Sequence, residues 1–163
     1  MLPDPTVPPS LMGLLEKLGT FTAPSRRTFA ALVTGLVAAS GKRTVTGMLT
    51  AAGLSQSWSH DRAHAFFSRA SWNVEVLGLA LSHLLVRSLL TEGAALTVAV
   101  AVAVDDTLFK RSGKKVFAAA WQHDGAAKGP KPVGRGTCFV VVGIVVQLPF
   151  CSRPACLPVM ARL

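Results

Sequence analysis

Residues 97–107 read TVAVAVAVDDT, and this stretch decides how the chain is built. From Thr97 to Val104 a β-branched residue alternates with alanine at period two, and both faces of the run are apolar. That pattern predicts a central strand covered on both sides, with Asp105 at its tip. Carboxylates placed where a strand leaves the core reach solvent while a rigid element holds them. They are hard oxygen ligands of the kind that Mg²⁺ or Mn²⁺ accepts. An Asp-Asp-Thr that only opens a turn is the competing reading, and spacing alone does not separate the two. Successive strand residues face opposite sides, so at most one of Asp105 and Asp106 can aim at a shared ion.

Two further apolar runs of strand length follow, Val116 to Trp121 (VFAAAW) and Thr137 to Gln147 (TCFVVVGIVVQ). The connectors, Lys110 to Lys115 and Asp124 to Gly136, are polar and rich in Gly and basic residues, the second also in Pro. Their shortness predicts an antiparallel three-strand meander, because a parallel crossover needs about a dozen residues or more. In a meander the two connectors lie at opposite ends of the sheet, with only the first at the end of Asp105.

Upstream, leucine spacing and helix stop signals predict five helices: Ser10 to Leu18, Ser25 to Ala39, Arg43 to Ala52 closed by Gly53, Ser59 to Ala70, and Val74 to Leu90. Ser59 is the expected N-cap of the fourth, with Asp61 in its first turn. Residues 1–92 thus form a helical domain and 93–163 an incomplete sheet domain, an α+β chain overall. The proline-rich opening is the one segment whose composition permits disorder. A strand apolar on both faces expects helices on both. None follows the third strand here, so a truncated domain is expected.

The chain has 17 Lys and Arg against 8 Asp and Glu, a formal charge of +9. Net charge alone leaves a polyanionic partner and chance basicity equally open. Distribution adds more: Lys110, Arg111, Lys114, Lys115, Lys128, Lys131 and Arg135 accompany a single acidic residue, Asp124. Such a local excess suits a surface that tracks phosphates. Arg26, Arg27, Lys42 and Arg43 in the helical part are the alternative contacts. No signal peptide opens the chain, and the apolar runs are about half the roughly 20 residues of a membrane helix. Cys138, Cys151 and Cys156 lack metal-finger spacing and fit a reducing cytoplasm.

The segment VDDTLFKRSGKKVFAAAWQHDGAAKGP, the apolar run after it and the LPF that ends that run resemble the opening of the catalytic domain in DDE-superfamily insertion-sequence transposases. The likeness extends upstream through Lys42 to Leu49 and through Trp58 to Trp72. It implies a ribonuclease-H-like fold, a DNA-contacting helical domain, DNA as partner and substrate, a homodimer, and Mg²⁺ or Mn²⁺ as cofactor. It implies a bacterial, nucleoid-associated setting as well. Residue by residue, it makes Asp105 the first catalytic carboxylate and Asp106 a neighbouring metal ligand. The family's second Asp and its Glu belong to later elements, so the chain alone is expected to be inactive. The alternative is a non-catalytic, basic DNA-binding remnant of such an element, and a third reading is a structural protein basic by chance.

Other residues carry less. His123 beside Asp124 reads as an exposed turn histidine rather than a general base, since no nucleophile is near it in sequence. His60, His64 and His83 read as structural, although His60 and His64 are spaced i, i+4 and so suit a metal. Trp58, Trp72 and Trp121 read as core anchors. The glycines between Gly125 and Gly136 lack the P-loop pattern.

Overall fold

The computed structural model describes residues 7–90 and 100–163. It divides into two compact units, with the boundary between Ala80 and Leu81. Residues 1–6, which open the proline-rich lead, and the 97–99 part of the expected first strand lie outside the described residues.

The helices are α1 Pro9–Leu18, α2 Ala23–Ala38, α3 Val45–Ala51 and α4 His60–Ser68 in the first unit, and α5 Val74–Leu85, which runs across the boundary and is followed by a π-helical turn, Val86–Leu90. Thr44 caps α3 by accepting a hydrogen bond from the Gly47 amide at 3.1 Å. Ser59 caps α4 in the same way, accepting from Arg62 N at 3.3 Å. Each cap is worth about 1 kcal/mol. The core gathers Ala31 and Leu32 from α2, Leu49 from α3, Ala63 and Phe66 from α4, and Leu54 and Trp58 between them. At Gly35 the backbones of α2 and α3 meet so closely that a Cβ there would overlap the Met48 carbonyl. Only glycine permits that approach.

The second unit is a four-stranded antiparallel sheet of β1 Ala101–Lys110, β2 Ala120–His123, β3 Val133–Val146 and β4 Ala155–Arg162. Four expectations change here. The first strand does not stop at Asp105: it continues through Lys110, pairing from Ala101↔Val145 to Lys110↔Gly136. The hydrophobic run marked only half of it, because Thr107, Leu108 and Phe109 suit a strand as well. Asp105 is therefore mid-strand, not at a tip.

Second, the sheet is not a meander. Its order is β1-β3-β2, so the long β3 is central and β1 lies at an edge. Val102 and Val104 are consequently exposed. Third, the 116–119 part of the expected second strand is the crossover that carries the chain past β3 to its far side. Ala118 adopts φ +52° there, which breaks extended backbone, and Phe117 is 84% exposed. The phenylalanine carbonyl is fixed by Thr137 Oγ1, which donates to it at 3.3 Å. Fourth, β4 is an additional strand. Pro154 and Pro158 mask it in the sequence, but Pro158 is tolerable because, among the described residues, β4 pairs with β3 alone and has a side on which no donor is needed.

Trp58 is buried and Trp72 packs against the helical core, as anchors should. Trp121 is 71% exposed and anchors nothing in this way, because its strand, β2, is only four residues long at the margin of the sheet.

Candidate functional site

The register fixes which way each side chain of β1 points. Asp106, Leu108 and Lys110 share one face with Val140 and Cys138 of β3, while Asp105, Thr107 and Phe109 share the other with Phe139. Two contacts agree with this. Cys138 Sγ donates to Asp106 Oδ2 at 3.6 Å, and the Phe109 and Phe139 rings meet edge to face with centroids 5.5 Å apart. Asp105 instead accepts a hydrogen bond from the Asp106 amide at 2.9 Å.

On the Asp106 face, the end of β2 comes across to meet β1. Asp124 follows β2 directly and is 3% exposed. Its amide donates to Pro132 O at 2.8 Å, and its Oδ1 accepts from Ala126 N at 3.1 Å. Lys110 Nζ lies 2.7 Å from Asp124 Oδ2. That lysine hydrogen bond holds the Asp124 carboxyl below the ordinary carboxylate range, overcoming the upward push of burial. Gly134 leaves room beneath it, since a Cβ there would stand 2.8 Å from Leu108 Cδ2 and 3.3 Å from Asp124 Oδ2.

Between these elements lies a cavity of about 540 Å³, lined from β1 by residues 105–108 and from the β2 end by residues 123–126. The sequence marked His123 as an exposed turn histidine and gave Asp124 no catalytic role, yet both line the same cavity as the two aspartates. The link was not legible because it depends on β2 lying beyond β3. Cys138 was missed for the same reason, as only the register brings it beside Asp106. Its thiol is pushed up, first by burial and then by that carboxylate.

The basic residues are arranged differently from the meander expectation. β2 is antiparallel to β3, and so parallel to β1, which brings both connectors to the start of β3. Lys110 is engaged by Asp124. Arg135 is half-buried, and its guanidinium donates to the carbonyls of Gly113 at 2.9 Å and Arg111 at 3.3 Å, holding the first connector in place. Arg111, Lys114, Lys115, Lys128 and Lys131 are exposed.

The donor type fits Mg²⁺ or Mn²⁺, but the donor number does not. Asp105 and Asp106 diverge, Asp124 is committed to Lys110, and among the described residues no group of three or more His, Cys, Asp or Glu is placed to hold an ion. These residues do not complete a metal centre by themselves.

Helices followed by a small antiparallel sheet define an α+β protein. A family model described as DDE superfamily endonuclease matches residues 16–163, so the chain belongs to that family and carries a DDE-type transposase domain. Comparison with curated proteins and with solved structures gave no match. Among the described residues no helix is long and apolar enough to cross a membrane.

Proposed function

We propose that the chain serves DNA transposition as part of an insertion-sequence transposase, its sheet belonging to a ribonuclease-H-like catalytic domain and its N-terminal part, residues 1–92, contacting DNA. The observation that carries this reading is the cavity lined by the Asp105-Asp106 pair and by the start of the second connector, on a sheet whose two connectors, at the start of β3, bear the exposed Arg111, Lys114, Lys115, Lys128 and Lys131. Divalent ions, if held there, would supply Lewis-acid assistance to phosphoryl transfer and would need carboxylates from several elements. The Asp105-Asp106 pair supplies the first of these in our reading, through whichever of the two faces the ion. The contact between Asp106 and Cys138 supports Asp106 as the carboxylate turned toward the cavity, with Asp105 ordering the strand beside it. The exposed cations hold the phosphate backbone, which supplies affinity without reading sequence.

The test is binding of the full chain to duplexes carrying the ends that flank its own gene, compared with unrelated duplexes, at several salt concentrations. Salt-dependent binding that favours the ends supports the reading. Absence of binding at low salt would sink it, and salt-dependent binding without preference would reduce the chain to a general DNA binder.

A further inference from the structure

We propose that His60 and His64 form a second, separate metal site, a two-imidazole chelate on the exposed side of α4 that takes a borderline transition cation such as Zn²⁺ or Ni²⁺ through both Nε2 atoms.

The residues are one helical turn apart, and the cap from Ser59 fixes His60 as the first residue of α4. Side chains spaced i, i+4 stand over one another on a helix. Here the two rings approach with centroids 4.2 Å apart, and Nε2 lies 3.1 Å from Nε2. Two nitrogens each bound about 2.0–2.1 Å from one cation, at angles between 90° and tetrahedral, stand roughly 2.9–3.4 Å apart. The observed separation falls within that range, so a cation could sit against both Nε2 atoms with little movement of either ring. Both residues are exposed, which leaves the remaining coordination positions to water. The nearest cation along the helix, Arg62, is turned away and stacks on Trp58, 4.5 Å from the ring centroid.

The ligand chemistry separates this site from the aspartates of β1. Imidazole suits Zn²⁺, Ni²⁺ and Cu²⁺, whereas carboxylates suit Mg²⁺ and Mn²⁺. A bound cation would tie the first turn of α4 to the second. That helix supplies Ala63 and Phe66 to the core, so occupancy stabilises the helical unit. The inference is independent of the transposase reading.

The test is calorimetric titration of the chelator-stripped full chain with Zn²⁺, and in parallel with Ni²⁺, on wild type, His60→Gln, His64→Gln, a His83→Gln/His123→Gln pair and a Cys151→Ser/Cys156→Ser pair. Circular dichroism confirms that each is folded. Losing one arm of a chelate removes its effective-concentration advantage, so each of the first two variants should bind at least roughly tenfold more weakly, while both control pairs bind as wild type. The melting temperature should rise with metal in wild type and in the control pairs alone. The proposal is overturned by no saturable uptake of one equivalent up to roughly 0.1 mM metal. Uptake that survives either single replacement, or that disappears in a control pair, overturns it equally.

Discussion

Lys110, the last residue of β1, reaches over β3 to place its Nζ 2.7 Å from the carboxylate of Asp124, the residue that follows β2. This pair joins the two outer strands of the β1-β3-β2 arrangement, which share no backbone ladder. Asp124 is also among the residues that line the cavity beside Asp106.

The pair predicts an acid-dependent stability. Asp124 is held below the ordinary carboxylate range, chiefly by Lys110. Its contribution is therefore fully present above the unfolded value and is lost as pH falls through the lower folded value. In Lys110→Met, urea midpoints should fall relative to wild type near neutral pH, and the difference should shrink below about pH 4. A difference that stays constant with pH would mean that the ion pair does not contribute.

Asp106 and Cys138 give a chemical readout of side-chain direction. With Cys151 and Cys156 replaced by serine, Asp106→Asn should make Cys138 react faster with a thiol reagent at fixed pH. The neighbouring carboxylate helps to raise the thiol above its ordinary range, and the thiolate is the reactive form. Asp105→Asn should leave the rate unchanged. Equal acceleration in both variants would contradict the register that separates the two aspartates.

Gly35 tests the helical unit. Replacement by alanine presses a methyl group on the backbone of α3 at Met48, where no side chain can swing aside. The expected loss is about 1–3 kcal/mol, the usual range for overpacking. Chemical denaturation followed by tryptophan fluorescence measures it, and a loss near zero would mean that α2 and α3 can part without cost.

The first connector tests DNA binding. Arg111, Lys114 and Lys115 are exposed, and removing a cation that neutralises one phosphate lowers the salt slope of binding by about 0.9. Replacing all three by alanine should reduce the slope of log affinity against log salt by up to roughly 3 units. An unchanged slope would move the phosphate-binding role to the second connector or to Arg26, Arg27, Lys42 and Arg43. Arg135→Ala should act differently: it frees the connector by removing bonds to Arg111 and Gly113.

The helices were legible because capping and apolar spacing are local. Ser59, three residues before an amide that needs a partner, marks α4 without reference to anything distant, whereas Thr44, expected inside its helix, proves to be the cap of α3. The strand segments were legible in kind but not in order. Nothing local tells the chain that residues 111–119 cross β3, and the decision rests on long-range pairings such as Trp121↔Arg135. The site followed the same division. Asp105 and Asp106 stood out from the sequence, whereas Asp124, His123 and Cys138 join them only through the strand order.

Because β1 is an edge strand, Asp105 and Asp106 also act as gatekeepers. Among the described residues β1 pairs with β3 alone, so its other side offers free backbone donors and acceptors, flanked by the exposed Val102, Val104 and Phe109. A second copy adding itself antiparallel along that edge with the aspartates in register would bring like carboxylates close together, and the repulsion would oppose that pairing. Neutralising both aspartates removes this protection together with any chemistry they perform. A double asparagine variant should therefore scatter more light than wild type at equal concentration, and a loss of function in it has to be read from the fraction that stays dispersed.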